Sequence, residues 1–238
     1  MVKEINIIRR IGSKQVDIRH FSKYLPLDIK SVVEPFGGSF AVSKWFYKDT
    51  NKYNFHINDL DEEVYYIYKN YKEYLDVMNQ LYQKFDKSQG RNVKEYLMSL
   101  DVNNHIRNYI IKNTIINTYV FSVSTSDNFC AAEYDILNNS KITNEDYKTI
   151  LEQNKDDEDA FIFLDPPYLF SDNNGYIPQS KDIDATYILP YILEYLKSAK
   201  CKVMLIINKL GILEYLFKKI IKSEYQRVYQ MSNKKVFI

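Results

Sequence analysis

Asp165-Pro166-Pro167-Tyr168 directly follows Phe161-Ile162-Phe163-Leu164. Four apolar, mostly β-favouring residues read as a short buried strand, and two prolines, which lack N–H groups and fix φ, stop it at Asp165. In open α/β sheets ligands bind at the carboxyl ends of strands, so this turn would deliver a carboxylate, free carbonyls on a rigid backbone and an aromatic ring to one crevice. The same residues equally suit an ordinary strand-ending turn in which Asp165 caps backbone groups and Tyr168 covers the edge of the core.

A second stretch, Ser31-Val32-Val33-Glu34-Pro35-Phe36-Gly37-Gly38-Ser39-Phe40, reads as strand, glycine loop and helix start. Pro35 stops the strand, Gly37 and Gly38 permit a tight turn with close ligand approach, and Ser39 can cap a helix beginning near Ala41. Such a loop accommodates a nucleotide-like ligand, although a plain β-to-α turn has the same composition. Tyr53–Asp59 then supplies a strand ending on an acid roughly 20 residues further on, the separation of a ribose-binding carboxylate in nucleotide-binding units. Asp59 can accept hydrogen bonds from ribose hydroxyls, and it can equally cap the next helix, whose first turn is enriched in Asp61, Glu62 and Glu63 as the helix dipole favours. Glycine loop and spaced acid together point to a nucleoside-containing cofactor.

The 238 residues, 45% hydrophobic, suffice for one sizeable core. No window approaches the roughly 20 apolar residues of a membrane span, and the charged N-terminus lacks a signal-peptide core, so a soluble, intracellular protein without a membrane partner is expected. Cys130 and Cys201 show no paired spacing and the three histidines are scattered, so neither a disulfide framework nor a metal is expected. The net charge of +1 is uneven: from Lys197 onward ten basic residues face two acidic ones, while Asp156–Asp159 form an acidic run. A basic segment suits a polyanion, and it equally suits a solvated surface.

Pattern predicts the elements that position these groups. A helix is expected to end near Leu25-Pro26, followed by the strands at Val32-Val33 and Tyr53–Asn58. Tyr-rich helices follow over Val64–Leu81, Val93–Leu100 and Ile106–Phe121, with Gly90 marking a break. Their tyrosines recur at helical spacing, which suits packing. Ser122–Asn128 reads as a loop, Lys141–Tyr147 as a short strand and turn, Lys148–Gln153 as a helix, and Leu169–Asp184 as a mobile loop over the crevice. Ala185–Ala199 is a helix, Lys202–Ile207 a buried strand, Ile212–Ile221 a helix, and Tyr225–Ile238 a hairpin-like pair. Alternating strands and helices predict an α/β sheet covered on both faces.

These residues together resemble the Dam-type, or D12-class, N6-adenine DNA methyltransferases. The likeness spans most of the chain and is carried by Gly12-Ser13-Lys14, Glu34-Pro35-Phe36-Gly37-Gly38-Ser39, Asn58-Asp59 and Phe163-Leu164-Asp165-Pro166-Pro167-Tyr168. It implies an α/β fold with a Rossmann-like S-adenosylmethionine-dependent methyltransferase core over 1–68 and 136–238 and a helical target-recognition insertion over 69–135. It implies S-adenosylmethionine as cofactor and double-stranded DNA containing an adenine site as partner. Carried over by position, Arg10 and Lys14 would lie beside the cofactor, Glu34, Pro35, Phe36, Gly37 and Gly38 would wrap it, and Asp59 would hold the ribose. Asp146 and Tyr147 match the acidic turn near the cofactor adenine. Asp165, Pro166, Pro167 and Tyr168 would form the catalytic turn, with Asp165 also facing the cofactor.

The implied chemistry explains these residue types. An exocyclic adenine amino group is a poor nucleophile because its lone pair is delocalised; accepting hydrogen bonds from both N–H groups, as Asp165 and the Pro166 carbonyl would, favours a pyramidal nitrogen. Tyr168 would stack on an adenine swung out of the duplex. Direct methyl transfer then needs orientation, with neither metal nor covalent nucleophile. Two departures from the family pattern stand out: Phe40 replaces the last glycine of Phe-x-Gly-x-Gly, and residues 112–118 lack the arginine and glycine of Asn-Arg-Thr-x-Phe-Asn-Gly. The same chemistry on RNA, and a catalytically silent nucleic-acid-binding or partner subunit, are the alternatives.

Overall fold

The strand Ala160–Leu164 is apolar and buried along its whole length, as a strand covered on both faces must be. The computed structural model describes residues 14, 17–47, 52–86, 88–116, 120–121, 135–169, 185–228 and 235–237. In chain order the first half holds α1 (Ile18–Phe21), a 3-10 turn, β1 (Ser31–Glu34), α2 (Ala41–Phe46), β2 (Asn54–Asn58), α3 (Glu62–Lys69), α4 (Tyr71–Lys84), α5 (Gly90–Ser99), α6 (Asn104–Thr114), β3 (Ile115–Ile116) and β4 (Val120–Phe121). The second half holds α7 (Asp135–Asn138), β5 (Ser140–Thr143), α8 (Tyr147–Asn154), β6 (Ala160–Leu164), α9 (Ala185–Leu196), β7 (Lys202–Leu205), α10 (Gly211–Phe217), β8 (Gln226–Val228) and β9 (Lys235–Phe237).

Five strands form one parallel sheet in the order β5-β2-β1-β6-β7. After β1 the chain builds outward through β2 and β5, then crosses over to add β6 and β7 on the other side. The order therefore reverses between β1 and β6, and the carboxyl ends of these two strands form the switch point at which open α/β sheets bind ligands. Val32, Phe161 and Phe163 face one side, with Phe21, Phe46 and the buried residues of α3 to α6 in the same apolar cluster. Val33, Ile162 and Leu164 face the other, against Ile150 and Leu151 of α8 and Ile188 and Ile192 of α9. Strand alternation thus feeds two cores from one sheet, a Rossmann-like α/β arrangement as expected.

Several boundaries differ from expectation. The helix predicted over Val64–Leu81 is two helices, because Asn70 departs from helical geometry at φ −124°, ψ 35°. The break expected at Gly90 lies between Lys84 and Gly90, and Gly90 itself, buried, opens α5, which therefore starts three residues earlier than predicted. The predicted Ile106–Phe121 helix ends at Thr114, where Ile115-Ile116 pair antiparallel with Val120-Phe121; β-branched side chains, stiff at χ1, favour the extended form. β7 stops at Leu205, α9 at Leu196 and α10 at Phe217, each shorter than predicted. β8 and β9 pair antiparallel, as the hairpin reading anticipated. The expected loop over Ser122–Asn128, and that over Leu169–Asp184 beyond Leu169, lie outside the described residues.

Phe40 occupies the left-handed region, φ 41°, ψ 44°, at the start of α2. That is the conformation a glycine adopts freely and a bulky residue adopts at a cost of about 1–2 kcal/mol. Its ring is fully buried and meets Tyr68 edge-on at 5.5 Å between centroids. Burial of an aromatic side chain outweighs that strain: losing one to Ala costs about 3–5 kcal/mol. Phe40→Gly should consequently be more stable than Phe40→Ala, reversing the usual ranking of the two residues. Urea denaturation of both variants checks this, and an Ala variant at least as stable as the Gly variant would refute it.

Candidate active site

Asp165 leaves the carboxyl end of β6, and Lys14 meets it there. The Lys14 Nζ donates to Asp165 Oδ2 at 2.6 Å, with the lysine side chain 3% exposed and the aspartate 21%. A buried ammonium is costly unless paired, so the contact holds both groups in place and leaves Oδ1 as a separate acceptor. Lys14 Nζ also lies 5.1 Å from the centroid of the Tyr168 ring, within cation–π range. Just beyond Tyr168, the Leu169 carbonyl accepts from Asn208 Nδ2 at 3.0 Å, which ties the Asp165–Tyr168 turn to the chain leaving β7.

The glycine loop leaves the neighbouring strand end. Gly37 N–H donates to the Asn58 carbonyl at 2.6 Å, and Phe40 N–H to the Gly37 carbonyl at 2.6 Å. A Cβ on Gly37 would stand 2.8 Å from the Asn58 carbonyl oxygen and 2.9 Å from both Ile57 Cγ2 and the Tyr68 hydroxyl. Gly38 has φ +52°, donates its N–H to Asp59 Oδ2 at 2.9 Å, and accepts from the Tyr68 hydroxyl at 2.7 Å. The other Asp59 oxygen accepts from Asp61 N–H at 3.0 Å. Helix capping falls instead to Asp61, whose Oδ1 accepts from Glu63 and Val64 N–H groups. Asp59 is therefore a bracket on the glycine loop, one oxygen on Gly38 and the other on Asp61.

Glu34, 2% exposed, accepts from the Ser43 N–H at 2.6 Å, one of the donors that the first turn of α2 leaves unpaired. Burial pushes its carboxyl up to about 7, reinforced by the negative charge of Asp165 and opposed by the Ser43 hydrogen bonds and Lys44. The folded protein then keeps a proton that the unfolded chain releases near its ordinary 4.5. Stability conferred by that bound proton is present below about pH 4.5, declines as pH rises toward 7, and is flat above. Glu34→Gln keeps the acceptor for Ser43 and abolishes the titration. Relative to the parent it should gain up to about 3 kcal/mol between pH 5 and pH 8. Urea titrations at the two pH values read this gain, and a constant difference would show that Glu34 titrates normally.

The turn after β5 completes the rim. Asp146 caps α8, its Oδ1 accepting from Lys148 N–H at 2.7 Å, and Tyr147 stacks on Phe36 with centroids 5.2 Å apart and planes at 30°. Asn58, fully buried, hydrogen-bonds to Pro35 on one side and to Thr143 and Glu145 on the other. His56 Nε2 lies 2.9 Å from Thr143 Oγ1; burial, then the charge of Lys141, push its imidazole down to about 4. Since the Thr143 hydroxyl donates onward to Asn58, neutral His56 carries its proton on Nε2.

Thus Lys14, Glu34, Pro35, Phe36, Gly37, Gly38, Asp59, Asp146, Tyr147 and Asp165–Tyr168 gather at one edge of the sheet; Arg10 lies outside the described residues. Sequence reasoning missed Tyr68, Thr143 and Asn208 as side-chain supports and gave Asn58, part of the Asn58-Asp59 motif, no role of its own. Tyr68 was read as one of the packing tyrosines, and polar residues at strand ends carry no local signal of their distant partners. The basic C-terminal stretch is partly neutralised, with Lys197, Lys200, Lys202 and Lys209 paired to Glu194, Asp156, Asp28 and Glu224. Among the described residues no His, Cys, Asp or Glu cluster is placed to hold a metal ion, and no helix is long and apolar enough to cross a membrane.

Comparison with known proteins adds to this geometry. A family model described as D12 class N6 adenine-specific DNA methyltransferase matches residues 11–135 and 124–235. The chain is also similar to the type II methyltransferase M.CviBI of Paramecium bursaria Chlorella virus NC1A, 24% identical over 246 residues, covering 94% of this chain and 90% of the relative.

Proposed function

We propose, from the premise that this chain belongs to the D12 class N6 adenine-specific DNA methyltransferase family, that it methylates adenine in DNA at the Asp165–Tyr168 turn using S-adenosylmethionine. The observation that carries the reading is the switch point: β1 and β6 are hydrogen-bonded neighbours, so the glycine loop and the Asp165 turn, far apart in sequence, flank one crevice. The residues suit the cofactor. Gly37 and Gly38 present backbone with no side chain in the way, and Asp59 places a carboxylate beside them, the group type that accepts from ribose hydroxyls. The Phe36–Tyr147 pair offers flat apolar surface next to a purine. S-adenosylmethionine, when bound, supplies an electrophilic methyl group.

Asp165 and the Pro166 carbonyl accept from the two N–H groups of the adenine amine, concentrating its lone pair on nitrogen. Lys14 holds one oxygen of Asp165, so the other keeps a defined direction. Tyr168 stacks on the extruded base, and sequestration in the crevice excludes water. Stacking of this kind contributes roughly 1–3 kcal/mol per base, so Tyr168→Ala should be severe and Tyr168→Phe mild in single-turnover rate, and equal damage by both would remove the stacking role. Helices within 69–135 would read the target; their link to the core includes Lys112 of α6, 3.6 Å from Asp61 and 3.8 Å from Glu63.

The test is transfer of labelled methyl from S-adenosylmethionine to matched adenine-containing DNA duplexes and RNAs. N6-methyladenine in DNA is expected. Methylation of RNA alone would shift the substrate, and failure to bind S-adenosylmethionine by calorimetry would make the chain a silent binding subunit.

A further inference from the structure

We infer that Asn58 is a positioning residue that fixes the width of the cofactor pocket by locking the glycine loop after β1 to the turn before α8. The inference rests on the methyltransferase reading above. Both Nδ2 hydrogens are used, one on the Pro35 carbonyl at 2.9 Å and one on the Glu145 carbonyl at 2.9 Å. Both Oδ1 lone pairs are used as well, accepting from Thr143 Oγ1 at 2.8 Å and Glu145 N–H at 2.8 Å. The Glu145 amide can only donate and the Pro35 carbonyl can only accept, so the orientation of the side-chain amide is determined.

Each partner stands next to a residue of the proposed pocket. Pro35 precedes Phe36, and Glu145 precedes Asp146 and Tyr147, so Asn58 spans the two backbones that carry the stacked Phe36 and Tyr147 rings. The flanking backbone is tied in parallel: Asn58 carbonyl accepts from Gly37 N–H, and Asn144 Nδ2 donates to the Asp59 carbonyl at 2.7 Å. A fully buried amide that donates twice and accepts twice has no substitute of the same shape that keeps all four bonds. Asp in its place would point an oxygen at two carbonyls, repelling both loops, and Ser would reach neither.

Asn58→Asp should raise the dissociation constant for S-adenosylmethionine about 10- to 100-fold, the range for leaving buried hydrogen-bonding groups unpaired. Thr143→Val, which removes one of the four bonds together with the His56 contact and preserves shape, should raise it about three- to tenfold. The KM for S-adenosylmethionine should rise by a larger factor than kcat falls, whereas a merely structural role would lower the melting temperature and leave cofactor affinity at the parental value. Calorimetry with S-adenosylmethionine on the full chain, alongside thermal melts, reads both. If Asn58→Asp fails to fold, Thr143→Val and Asn58→Ser decide. Folded variants that bind like a binding-competent parent overturn this inference alone. A parent that does not bind S-adenosylmethionine overturns the cofactor reading and this inference with it.

Discussion

Asp165→Ala is expected to lower the single-turnover rate of adenine methylation by at least about 10²–10³-fold, the range for removing one group aimed at the transition state. Its carboxylate is assigned to the amine as the nitrogen becomes pyramidal, so the loss belongs in the chemical step and DNA binding should persist. The same substitution leaves the Lys14 ammonium, 3% exposed, without its carboxylate. Removing one partner of a buried pair costs about 3–5 kcal/mol; here the partial exposure of Asp165 lets water replace it and puts the cost at the low end. Asp165→Asn separates the effects, because its amide oxygen still accepts from Lys14 while the negative charge facing the adenine amine is gone. That variant should melt close to the parent and remain slow, and parental single-turnover methylation by Asp165→Asn would remove the acceptor role.

Gly37→Ala should be nearly as damaging through geometry alone. An added Cβ meets three atoms at 2.8–2.9 Å, and the nearest is the Asn58 carbonyl, backbone that already accepts from Gly37 itself. Neither can retreat without opening β2 from the glycine loop. Overpacking of this kind costs about 1–3 kcal/mol, and the displaced loop should lose S-adenosylmethionine affinity by about tenfold or more. Gly38→Ala is the contrasting control. Its Cβ would have open space, but φ +52° leaves a left-handed strain of about 1–2 kcal/mol. Melting temperature and cofactor affinity should fall less for Gly38→Ala than for Gly37→Ala, and the opposite order would mean that backbone conformation governs this loop more than its close contacts do.

What could be read from sequence was what acts locally. Two prolines end β6 wherever the strand is placed, Gly37 and Gly38 announce a loop that bare backbone must line, and the alternation of short apolar runs with helical patterns announces an α/β sheet covered on both faces. For that reason Asp165–Tyr168, the glycine loop and Asp59 were legible as a candidate site before any contact was known. The resemblance of these motifs to a family was legible for the same reason. Local pattern could not divide Val64–Leu81 at Asn70, since both halves keep helical spacing. It also left Asp59 with two possible partners, and only the three-dimensional arrangement shows it bracing Gly38 while Asp61 caps α3. Lys14 finds Asp165 across 151 residues, and Phe40 takes a glycine's conformation because a fully buried ring offsets the strain. Pairings of this kind depend on strand order and on which groups lose water together, and those are settled only when the whole sheet closes around its two cores.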